Sequence, residues 1–231
     1  MTDPGSGRDE ATDDAPSVDV ALQAGAALFN EGHWLAAHEP WEAAWLPLDR
    51  DAVGTEADDE RLLHGLIQVA AATHHARTGN DSGAVGCAEG ALGYLDGLGE
   101  RHRELALDPI RRWCRRIAET AGPPGSPDSS DSLDPPAFRI DGTPVRFADL
   151  DLDATLTAAP ALAEVLETAD SATMTAAADL AREERDTGRT RITELLIGFL
   201  REPDARPQIA VRIGDHVERA ERKRRDVDDL F

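Results

Sequence analysis

The sequence predicts an all-α protein: a helical bundle of paired antiparallel hairpins with tetratricopeptide-like packing, a small β-hairpin and a C-terminal helical extension. Three observations predict it. Apolar residues recur at helical spacing over most of residues 17–120. Gly, Asn and Asp interrupt these stretches where helices stop and start. Finally, Gly32, Ala37, Trp41 and Ala44 recur 47 residues later as Gly79, Ala84, Ala88 and Ala91. A turn glycine followed by small and large residues at these intervals is how a repeated helical hairpin packs.

The elements follow in order. Residues 1–16 are rich in Asp, Gly, Pro and Ser and read as a disordered acidic tail. Val20, Ala24, Ala27 and Leu28 form the stripe of a first helix, which ends near Asn30-Glu31-Gly32, where Gly32 can adopt a positive φ. A second helix spans about Trp34 to Trp45, and Pro47 to Asp59 reads as an acidic loop. The third spans about Glu60 to Arg77 and stops at Thr78-Gly79-Asn80; the fourth spans about Ser82 to Leu98. The fifth runs from about Pro109 to Thr120, with Asp108 as N-cap. Together these make a core domain, 17–120.

Residues 121–136 form a linker holding five of the chain's 14 prolines. In the final region, 137–231, Asp141-Gly142 between short alternating runs predicts a β-hairpin, which needs a surface to pack on. Helical patterning returns from about Pro160 and is strongest from Arg191 to Leu200, where Ile192, Leu195, Leu196 and Phe199 share a face. Ile209, Ile213, Val217 and Ala220 continue it, although Ile209 to Ile213 also alternates like a strand.

Composition narrows the function classes. Of 231 residues, 45 are Asp or Glu and 24 are Lys or Arg, a formal charge of −21. Lys223 is the only lysine. An acidic, Arg-for-Lys, Ala-rich chain reads as adapted to molar salt, where the Debye length is only ~3 Å. The same charge argues against nucleic acid as a partner, because phosphate backbones require positive surface. No apolar run approaches the ~20 residues of a membrane span, the first residues lack a secretory signal, and Cys87 and Cys114 are the only cysteines. A reducing, cytoplasmic location is expected. Residues 181–231 are electrically neutral, so the remainder carries the entire −21. Arg219, Arg222, Lys223, Arg224 and Arg225 read as a solvated helix face that a partner or the acidic N-terminal part can meet.

Chemistry concentrates on the second and third helices. Trp34, His38, Trp41 and Trp45 share one helical face, with Glu42 four residues after His38. His64, Gln68, Ala71 and His75 share another. Facing stripes of this kind suit a hydrogen-bonded network that fixes helix register. They also suit a divalent metal site of His38, Glu42, His64 and His75 holding zinc, manganese or iron, or a coupled His–Glu acid–base pair. His38-Glu39-Pro40-Trp41-Glu42 opens like the His-Glu-x-x-His of zinc proteases. It ends in Glu, however, and Pro40 is expected to disturb the i,i+4 geometry that motif needs. No phosphate-cradling Gly-x-x-x-x-Gly-Lys loop and no Gly-x-Ser-x-Gly elbow is present.

Phe29-Asn30-Glu31-Gly32, His38-Glu39 with Glu42 and Trp45, Gly65-Leu66-Ile67-Gln68-x-Ala70-Ala71, His75 and Gly79-Asn80-x-x-Gly83-Ala84 resemble the domain of unknown function 309 family. The order and spacing match over about residues 20–100. The resemblance implies a small helical bundle whose polar signature is His38, Glu39, Glu42, Gln68, His75 and Asn80. Pro40 departs from the aliphatic residue expected there, and residues from about 121 onward read as a lineage-specific extension. Two functions follow as expectations: a non-catalytic interaction or scaffold module that binds a protein partner or itself, and a metal-dependent, hydrolase-like enzyme.

Overall fold

The computed structural model describes residues 15–49, 53–120, 133–166, 169–185, 188 and 190–228. Among them lie nine α-helices and a small antiparallel sheet. Helix α1 (Val18–Asn30) starts on Ser17, whose side chain accepts from the Val20 amide. It ends at Gly32, at φ +84°. Helix α2 (Trp34–Trp45) follows at once, and α3 (Thr55–Arg77) and α4 (Asp81–Leu95) form the next hairpin. Helix α5 (Asp108–Ala118) closes the first half. Each of these helices packs on the next.

The two hairpin turns close alike. The His33 amide donates to Leu28 O and the Gly32 amide to Phe29 O; the Asn80 amide donates to His75 O and the Gly79 amide to Ala76 O. Gly32 and Gly79 both occupy the left-handed region, at φ +84° and +74°. This is a helix stop that satisfies terminal carbonyls and requires a residue tolerant of positive φ. The apolar residues of both repeats, Ala37, Trp41 and Ala44 and then Ala84, Ala88 and Ala91, are buried. Alanine dominates because the helices approach closely. A Cβ on Gly25 would stand 2.3 Å from Trp41 Nε1, and one on Gly65 would stand 2.7 Å from a Leu95 methyl.

The second half folds back onto the first. Strands β1 (Arg101–His102) and β2 (Leu105–Ala106) form one hairpin, and β3 (Arg139–Ile140) and β4 (Thr143–Pro144) form another. They join through Leu105 opposite Ile140 into a sheet of order β1-β2-β3-β4. Helix α6 (Leu152–Val165) packs on α1 and α2, α7 (Ser171–Glu183) and α8 (Arg191–Arg201) pack on it and on each other, and α9 (Arg206–Asp228) packs on α7 and α8. No described helix is long and apolar enough to cross a membrane.

Several boundaries move from their expected places. Helix α3 begins at Thr55, inside the expected acidic loop, because Gly54 at φ +74° turns the chain and Glu56 and Asp58 favour the positive end of the helix dipole. Helix α4 stops at Leu95, and Asp108 is the first residue of α5 rather than its cap. Pro160 lies within α6, which starts eight residues earlier on an Asp151 cap. Residues 209–213 are helical throughout. The hairpin of β1 and β2 was not expected. Its turn residues, Arg103 and Glu104, hold φ +44° and +59° without a glycine to mark them. The acidic tail and the linker lie largely outside the described residues.

Candidate functional site

The outward face of α2, with its C-cap residue Leu46, carries Leu35, His38, Glu39, Glu42 and Leu46, the last four at offsets of three, four, seven and eleven from Leu35. Leu35 and Leu46 are 48% and 62% exposed. Between them His38 Nδ1 stands 3.4 Å from Glu42 Oε2 and 3.9 Å from Glu39 Oε1. One ligand atom from each of the three residues fits within 4.8 Å of the others. Pro40 does not break this arrangement: α2 is continuous through it, and the i,i+4 pair keeps its contact. The expected disturbance is therefore absent, because the packing of α2 against α1, α3 and α6 holds the helix.

Glu39 and Pro40 also line a cleft of about 270 Å³ between α2, α6 and α7, together with Pro160, Glu164 and Arg182. Partial burial pushes the Glu39 carboxyl above its ordinary value. His38 opposes that shift, while Glu42 and Glu164 reinforce it.

The other expected residues go elsewhere. Among the described residues neither His64 nor His75 joins the His38–Glu39–Glu42 group. His64 is stacked on Tyr94 with ring centroids 3.8 Å apart and lies 4.7 Å from Trp45. Its Nδ1 is 3.5 Å from Glu60 Oε1 without bonding geometry; that oxygen accepts from Trp45 Nε1 at 2.8 Å. Gln68 lies against α4, where a Cβ on Gly90 would meet its Oε1 at 3.4 Å. Asn80 caps α4: its Oδ1 accepts from the Gly83 amide at 3.1 Å, and its Nδ2 lies 3.1 Å from His75 Nδ1. A Cβ on Gly83 would come within 2.5 Å of Asn80 Nδ2 and 2.9 Å of His75 Cγ. His75, Asn80 and Gly83 thus form one interlocked helix start.

Two arrangements escaped the sequence reading. Asp59, only 4% exposed, accepts from His102 Nε2 and from both Nε and Nη2 of Arg103, each at 2.7 Å. Burial alone would raise its pKa; the hydrogen bonds from Arg103 and His102 outweigh that and hold the carboxyl below its ordinary value. Asn30 clasps the second hairpin, donating from Nδ2 to Phe138 O and Val145 O at 2.9 Å and accepting from the Phe138 amide at 2.7 Å. Phe138 stacks on Phe29 with centroids 4.2 Å apart. Burial raises the Cys87 thiol above its ordinary value and pushes that of Cys114 up to about 12.

Residues 22–87, from α1 to the middle of α4, match the family model described as Domain of unknown function (DUF309). The segment is similar to that family over 66 of the chain's 231 residues. No curated protein and no solved structure matches the chain. Within the matched segment, Asn30, Gly32, His75, Asn80 and Gly83 are engaged in turns, caps and docking. His38, Glu39 and Glu42 instead face outward together.

Proposed function

We propose that the chain is a non-catalytic helical interaction module of a saline cytoplasm, and that its DUF309-like segment presents the outer face of α2 to a protein partner. The observation that carries this reading is the stripe itself: two exposed leucines bracket a His/Glu/Glu centre on one rigid helix. Its chemistry suits a partner segment with a basic side chain between apolar neighbours. The stepwise packing of α1 to α5 and the repeated glycine turn support a tetratricopeptide-like arrangement beneath it. A photocrosslinking residue placed at Leu35 or Leu46 tests the reading in intact cells. We expect a discrete adduct, to another protein or to a second copy, that disappears in Glu39→Lys/Glu42→Lys while helicity is unchanged. An adduct indifferent to charge reversal would overturn it.

A second reading rests on the same three residues. His38, Glu39 and Glu42 bring an imidazole and two carboxylates close enough to share a zinc, manganese or iron ion. Three protein ligands with an open position are the donor set of a hydrolytic metal centre. That reading requires stoichiometric metal lost in His38→Ala, and a reaction lost with it.

A further inference from the structure

In a chain with nearly twice as many acidic as basic side chains, one cavity reverses the balance. It has a volume of about 620 Å³ and lies where the α1–α2 turn, the segment after β4 and the α8–α9 junction meet. Its charged lining is Arg146, Arg201 and Arg206 against the single carboxylate of Glu31. His33 and Phe147 form a stacked wall, with ring centroids 6.2 Å apart and planes 20° from parallel. His33 is also the N-cap residue of α2, which has no side-chain cap, so the positive end of that helix dipole adds to the wall.

Two of the guanidinium groups are held by backbone and still have a free donor. Arg206 donates from Nε to Phe199 O at 2.9 Å and from Nη2 to Leu200 O at 3.2 Å. Arg201 donates from Nε to Phe147 O at 3.2 Å and from Nη2 to Ala148 O at 2.9 Å. Among the described residues, Nη1 of each has no acceptor. Arg146 is anchored more loosely, with Nη1 3.4 Å from Glu31 Oε1. Arg206 is decisive. It is only 9% exposed, and no described carboxylate lies within ion-pair distance of it. A buried guanidinium without a counter-charge is costly, and folded proteins pair such groups. Among the described residues the one carboxylate facing Arg206 is that of Glu31, beyond ion-pair distance and already paired with Arg146, so the cavity keeps an excess of positive charge.

We propose that this cavity binds a phosphate group, as inorganic phosphate or as the head of a small phosphomonoester, between Arg201 and Arg206 with Arg146 at the rim. Two guanidinium groups fixed by their backbone bonds, each with Nη1 still to donate, suit a dianion with several acceptor oxygens better than a single carboxylate. The cavity exceeds what one phosphate fills, and the His33–Phe147 wall offers the remainder of an ester a flat apolar surface. The site lies apart from the α2 stripe and does not depend on the function proposed for it.

The test is calorimetric titration of the full chain in potassium chloride with inorganic phosphate and, separately, with phenyl phosphate. One phosphate per chain is expected. Tighter binding of phenyl phosphate assigns the ester, and equal affinity assigns free phosphate. Arg201→Gln and Arg206→Met should each weaken binding at least tenfold, and Arg146→Gln less. Because Arg206 also caps α8, circular dichroism accompanies that variant, and Arg201→Gln carries the test should it fail to fold. Absence of saturable binding by either probe, or affinity unchanged in Arg201→Gln, would overturn the proposal.

Discussion

Replacing Asp59 by Asn tests the network that fixes the first hairpin to α3. The wild-type carboxylate accepts three hydrogen bonds at 2.7 Å, two of them from the fork of Arg103. Asn keeps one oxygen but turns an amide donor toward Arg103 Nη2, which then has no acceptor on α3. Breaking a buried ion pair costs about 3–5 kcal/mol. Arg103 retains 28% exposure and a second partner, Asp19 at 2.7 Å, so the lower end, about 3 kcal/mol, is the expected loss. The clamp also holds Arg103 and Glu104 at positive φ, which would otherwise relax. For a chain of this size that is a fall in Tm of roughly 6–12 °C.

Thermal unfolding in molar potassium chloride, followed by circular dichroism, is the assay, because a buried pair survives salt that screens surface charges. The pH dependence has a definite sign. The Asp59 pKa is depressed in the folded state, so its contribution is fully present above the ordinary aspartate value and is lost as pH falls through the depressed one. The gap between wild type and Asp59→Asn should therefore narrow on acidification. Asp19→Asn, at the 65% exposed end of the network, should cost less than about 1 kcal/mol. A Tm within 1 °C of wild type for Asp59→Asn, or an equal loss in Asp19→Asn, refutes the reasoning.

Three further outcomes are expected. Asn30→Ala removes three hydrogen bonds and takes the partner from the Phe138 amide and the Val145 carbonyl, while the Phe138 carbonyl keeps the Val145 amide at 3.3 Å, a loss of about 2–4 kcal/mol in urea unfolding. Gly25→Ala drives a methyl to within 2.3 Å of the fully buried Trp41 ring and should cost about 3 kcal/mol; Trp41→Phe in the same background should recover part of it, read as a double-mutant cycle. Asn80→Ala removes the α4 cap at a cost of about 1 kcal/mol, measured by thermal unfolding.

How far the sequence was legible depends on whether the signal was local. Helices α1, α2 and α8 read clearly, because Gly32 marks a stop and the apolar stripe around Leu195, Leu196 and Phe199 marks a face. The Asp141-Gly142 turn was legible for the same reason, and both residues hold positive φ. The β1–β2 turn was not, because Arg103 and Glu104 adopt left-handed backbone under tertiary constraint from Asp59. Helix α6 was shortened in the reading because Pro160 looked like a start, whereas the Asp151 cap sets it. Of the site, the His38–Glu42 spacing was legible as a helical pair. The separation of His64 and His75 was not, because periodicity gives a face without saying what the face meets. Asn80 illustrates the same limit: a polar residue that looks functional in sequence does a capping job in the fold.

The most direct test of the central proposal is elemental analysis of the full chain purified in molar potassium chloride, beside His38→Ala/Glu42→Gln. If the α2 face is a protein-contact surface, neither form should contain stoichiometric zinc, manganese or iron, and both should show the same helicity. About one such ion per chain, lost in the double variant with the fold intact, would contradict it and make His38, Glu39 and Glu42 a metal centre.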